Sequence, residues 1–174
     1  MSGDAPAADF GRALVAETKR RLLGESFPRL RKCLDLLDDK AIWRRPNPSM
    51  ASVGNLTLHV LGNARQWFVS GLLGEPDDRD RTAEFAEPGP LPREELFRRI
   101  AETERECRRA LEAVDPGTLL ETRRVQVFEE SGLSVLVHVV EHFSYHVGQI
   151  ARATKAKENV DLEFYGGIDL EVGR

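Results

Sequence analysis

Apolar residues recur at helical spacing over four stretches of the chain. Between residues 9 and 37, Leu14, Leu22, Leu23, Leu30, Leu34 and Leu37 share one broad face. Pro28 falls inside this run. Proline removes a helix N–H and its ring crowds the preceding turn, so the pattern predicts a kink or break there. "DLLDDKAIWRRPNP" ends the run, with room for one short turn around Ile42 and Trp43. A second stretch, 52–73, carries Leu56, His59, Val60, Asn63, Trp67 and Leu73 at helical spacing, with Ser49 or Ser52 available as N-cap. A third starts near Pro92, runs through Leu96, Ile100, Cys107 and Leu111, and ends before Pro116. The fourth covers 133–154 and has Ser131 or Ser134 to cap it. Val125 and Val127 alternate with polar neighbours in "RRVQVFEESG", which suits a short extended segment. "GEPDDRDRTAEFAEPGPLP" is rich in Pro, Gly and Asp and reads as a long crossover loop between helices two and three. The expected architecture is all-α: a four-helix bundle forming a single domain over 1–174, with its core at about 9–154 and a C-terminal tail, 155–174, partly packed through Phe164 and Tyr165.

Composition narrows what such a bundle does. A chain of 174 residues can bury a core that needs no disulfide or metal staple. Its 41% hydrophobic and 31% charged residues are ordinary for a soluble globular domain. The net charge of −4, with arginines dispersed among carboxylates, gives no electrostatic case for nucleic acid. No apolar run approaches the ~18 residues of a membrane span, and "MSGDAPAADFG" reads as neither signal peptide nor anchor. Cys33 and Cys107 form no CxxC and read as reduced thiols of a cytoplasmic protein.

The candidate chemistry lies in "VHVVEHFSYHVGQI", residues 137–150, which holds three of the four histidines. His138, His142 and His146 follow one another at intervals of four. Helix neighbours four apart lie about 6 Å apart along the axis and can aim at one point, while residues eight apart are separated by about 12 Å. Metal–nitrogen bonds of ~2.0–2.1 Å therefore pair His138 with His142, or His142 with His146, and spacing does not choose between them. His59 is the one histidine left to complete a site from another helix. The competing view is of core or surface histidines without a metal. The stripe runs among Val135, Val139, Val140, Phe143, Val147 and Ile150, where three buried imidazoles would each need a partner. A metal satisfies two of them together and is the preferred reading. No HExxH, no Glu-x-x-His pair, no phosphate loop and no GxSxG elbow is present.

"HVVEHFSYHVGQI" resembles the last-helix signature of the DinB-like (YfiT-like) superfamily of metal-dependent bundle proteins. "NLTLHVLGNARQW" followed by "RDRTAEF" resembles the second helix and crossover of a small bacterial branch of it. The resemblance implies a divalent ion, zinc or nickel, held by His59, His142 and His146. It implies a metal-dependent enzyme of thiol S-transferase or hydrolase type, acting on a small molecule with a low-molecular-weight thiol, and a homodimer. Many relatives carry Arg where this chain has Val147. Three neutral imidazoles leave an ion dicationic with an open position, chemistry that serves both thiol transfer and hydrolysis. His138, Asn63 and Gln149 are the candidates for orienting a ligand or lining the cavity. Gly148 is expected to allow close helix approach, and Arg79, Arg81 and Glu84 either to close over the bundle mouth or, as the preferred reading, to lie on a charged surface loop. The rival function is a non-catalytic bundle that the metal or the histidines merely stabilise.

Overall fold

The computed structural model describes residues 4–169 and Val172, and it is mostly helical. Helix α1 (Asp4–Arg21) runs through a wide π turn (Leu22–Ser26) into α2 (Phe27–Leu36). The disruption expected at Pro28 thus falls one turn earlier. Pro28 sits in the first turn of α2, where it needs no N–H partner. The extra residue in the π turn, closed by Phe27 N–H to the Leu22 carbonyl, accommodates it without breaking the rod. Short α3 (Asp39–Trp43) follows, capped by Asp38.

Helix α4 (Val53–Arg65) starts at a capping box. Ser52 Oγ accepts from the Asn55 N–H at 3.0 Å, and Asn55 Oδ1 accepts from the Ser52 N–H at 3.2 Å. A second π turn (Gln66–Ser70) joins it to α5 (Gly71–Leu73), which ends at Gly74 with φ of 71°, a left-handed cap that glycine adopts freely. The crossover is not all loop. Asp80 accepts from the Ala83 N–H and starts α6 (Arg81–Ala86), which packs on α4. Helix α7 (Arg93–Ala113) begins right after Pro92. The expected extended segment is a two-stranded hairpin, β1 (Thr122–Val125) antiparallel to β2 (Phe128–Ser131). Ser131 then caps α8 (Gly132–Glu158).

The α1–α2 rod and α4 each pack against α7 and α8, giving the four-helix bundle. Phe27 and Phe143 meet at its centre with ring centroids 4.7 Å apart. Leu22, Leu30, Leu96, Ile100 and Ile150 are fully buried around them. Gly148 is exposed, and among the described residues a side chain there would meet no atom within 4 Å, so the close helix approach expected at this position is not found. In the tail, Leu162 is buried, while Phe164 and Tyr165 each lie 5.3 Å from the Arg29 guanidinium. No described helix is long and apolar enough to cross a membrane.

Candidate metal centre

Two helices bring the histidines together. His59 lies on the inner face of α4, one turn past the capping box, and is buried. His142 and His146 lie one turn apart on α8. One ring nitrogen from each of the three lies within 4.8 Å of the others. The Nε2 atoms of His59 and His142 are 3.0 Å apart. The ring centroids of His146 lie 4.9 Å from His59 and 4.6 Å from His142. Bonds of ~2.0–2.1 Å ask for slightly closer nitrogens than the widest of these spacings, a change that rotation of the imidazoles covers.

Neighbouring groups bias which nitrogen two of the rings offer. His59 Nδ1 lies 2.9 Å from Glu84 Oε2. Arg79 Nη2, a donor, also lies 3.1 Å from Nδ1 but has the Glu84 carboxylate and the His59 carbonyl to donate to, whereas the carboxylate only accepts, so the contact with Glu84 favours a proton on Nδ1 and a bare Nε2. His146 Nδ1 lies 2.8 Å from Gln149 Oε1, and with the amide in this orientation that nitrogen donates and Nε2 faces inward. Ring nitrogens converging from two helices are a donor set that suits a divalent ion. Burial lowers His142 to about 3, and the neighbouring His146, His59, His138 and Arg79 push in the same direction. Burial also lowers His146, although its bond to Gln149 opposes the shift. Both rings are therefore neutral at physiological pH, as ligation demands.

His138 stands beside the group. Its ring stacks on Trp67 at 3.7 Å, and its Nε2 faces the Asn63 amide nitrogen at 3.3 Å. Trp67 belongs to the π turn of Gln66–Ser70, so the extra residue in that turn helps to set this wall. Tyr145, 63% exposed, packs its ring against His146 on the other side. Of the outer residues expected from the sequence, Gln149 meets a ring of the group, whereas Asn63 meets only His138.

Arg79 and Glu84 differ most from the preferred expectation. They form no surface loop: their side chains are 5% and 10% exposed, and they pair at 2.7 Å. Phe85 lies against the His59 ring at 4.6 Å, with Arg81 above Phe85 at 5.1 Å. The chain did carry signals for this placement. Gly62 leaves a gap on an otherwise bulky helix three residues after His59, and Asp80 precedes Glu84 and Phe85 at capping distance. Burial pushes the Glu84 carboxyl up, but the hydrogen bonds from His59 and Arg79 outweigh it and hold the group below its usual range.

The two cysteines lie away from this chemistry. Both are free and buried, and burial raises Cys33 to about 11 and Cys107 further still. Neither offers a thiolate, so a sulfur nucleophile would have to come from a second molecule.

Fold and site together define a helical-bundle protein with a three-histidine group that could hold a metal ion. Residues 19–154, more than half of the chain, match the family model described as Mycothiol-S-transferase. The chain belongs to that family, which lies within the DinB/YfiT-like superfamily. No curated protein and no solved structure matches it.

Proposed function

We propose that this protein holds one zinc or nickel ion on His59, His142 and His146 and transfers a low-molecular-weight thiol, mycothiol or a close relative, to an electrophilic small molecule. The observation that carries this is the convergence of three ring nitrogens from α4 and α8. The family supports the thiol and the transfer. When bound, the ion supplies a Lewis acid that favours the deprotonated form of a thiol reaching it. Glu84 and Gln149 contact the outer nitrogens of His59 and His146, and Phe85 covers one face of His59. In the net reaction the thiol loses its proton and its sulfur bonds to the electrophilic carbon. The leaving group departs with the bonding electrons and takes up a proton.

Catalysis is preferred over a purely structural ion for two reasons. Among the described residues, the group holds three protein ligands and no fourth. His142 is half-buried rather than sealed. The working form we propose is a cytoplasmic homodimer, and reduced, buried thiols at Cys33 and Cys107 suit that compartment. Elemental analysis of purified protein is expected to find about one divalent ion per chain. A screen of thiols against electrophiles, followed by thiol consumption, is expected to give turnover that chelation abolishes. Bound metal without turnover on any pair would favour the structural role. Protein that binds no ion would remove the site.

A further inference from the structure

Glu84 and Arg79 are a buried ion pair in a segment where Asp77, Asp78, Asp80 and Arg81 are all exposed. Burying such a pair costs desolvation that its own attraction barely repays, so stability alone is a weak reason for it. The pair closes on His59. Glu84 Oε2 lies 2.9 Å from His59 Nδ1 and 2.9 Å from Arg79 Nη2, and Glu84 Oε1 lies 2.7 Å from Arg79 Nε. Arg79 is held in turn by Gln66 Oε1, which accepts from its Nη1 at 2.8 Å. The backbone of α6 is anchored separately: Asn55 Nδ2 donates to the carbonyls of Glu84 at 3.0 Å and Glu87 at 2.8 Å. Gly62 makes the approach possible, since a Cβ at that position would collide with the Glu84 carboxylate.

We propose that Glu84 is a positioning residue for the metal centre. It holds His59 with Nδ1 protonated and Nε2 bare toward α8. Through the same bond, an ion on the histidines fastens α6 to α4. The second half follows from the first, because coupling between two binding events is reciprocal: whatever Glu84 adds to metal affinity, the metal adds to the docking of α6. The proposal rests on the three-histidine metal reading above.

Zinc titration against a competing chromophoric chelator tests the affinity, with Glu84→Gln and Gly62→Ala beside the wild type. Hydrogen exchange over 81–86, with and without zinc, tests the coupling. The wild type is expected to bind one zinc per chain and gain protection in 81–86. Both variants are expected to bind roughly 10–100-fold more weakly and to gain less protection. Gly62→Ala keeps every charge and favours the helix by propensity, and urea unfolding of the zinc-free variant beside the wild type separates a loss of affinity from a general loss of stability. If Glu84→Gln fails to fold, Gly62→Ala decides alone. Wild-type affinity in a folded variant, or an equal gain of protection in all three proteins, overturns the inference and leaves the metal reading intact. A wild type that binds no zinc overturns the metal reading, and the inference falls with it.

Discussion

His142 carries the largest share of the site's chemistry at the residue scale, because either histidine pair that spacing permits on α8 includes it. Burial and three neighbouring imidazoles lower it to about 3, and His138 and His146 are lowered mainly by burial. The sign of the stability effect follows directly. Below about pH 6.5 the unfolded chain takes up protons at these histidines, while the folded, metal-free protein does not. Chelator-treated protein is therefore expected to lose stability steadily as pH falls from about 6.5 toward about 3. Urea unfolding midpoints from pH 7 to pH 4 measure this, and His142→Ala is expected to flatten the slope. A midpoint independent of pH in the wild type would mean that the rings are not desolvated. His138 and His146 separate in a different measurement. Helical spacing left both open as partners of His142, and the structure stacks His138 on Trp67 while His146 joins His59. In metal titrations His138→Ala is expected to keep near-full occupancy, with affinity weakened at most ~10–100-fold. His146→Ala is expected to lose the ion. The reverse pattern would place the site one turn nearer the start of α8.

At the scale of elements, the junction of α4 and α6 is where Glu84 meets His59. Asn55 works at both ends of it, completing the capping box of α4 and donating to two carbonyls of α6. Asn55→Ala removes the cap's return bond and leaves partly buried carbonyls unpaired. A loss of about 1–3 kcal/mol in urea unfolding is expected. A loss below about 0.5 kcal/mol would show that α6 is held by other contacts. Long elements were legible in the sequence because their apolar spacing repeats over many turns, as in Leu22, Leu30 and Leu34 or Leu96, Ile100 and Leu111. The six residues of α6 span less than two turns and carry mostly charge and small side chains, so no period emerges. Its role is set by tertiary contact with His59, which local pattern does not encode. The same holds for the two π turns: Pro28 signalled a disturbance, but its position one turn earlier depends on how the rod packs.

For the whole molecule, the question is what an ion adds to a bundle that already has a core. Phe27, Phe143 and the leucines around them are buried without help from the histidines, so the metal-free chain is expected to stay folded. A ligand that binds only the folded state stabilises it by RT ln(1 + [L]/Kd), about 2.7 kcal/mol at one hundred times Kd. For a chain of this size each kcal/mol moves the melting temperature by roughly 2–4 °C, so saturating zinc is expected to raise Tm by roughly 5–11 °C. The rise should be cancelled by chelator and absent in His142→Ala. Because the three nitrogens come from α4 and α8, the gain should also appear as slower exchange of amides near both helix segments rather than near one. Calorimetry of the metal-free and zinc-loaded protein, with exchange measured alongside, distinguishes the possibilities. Equal melting temperatures at saturating zinc would mean that the ion binds the unfolded chain as well as it binds the bundle. Protection confined to α8 would mean that His142 and His146 hold the ion without His59.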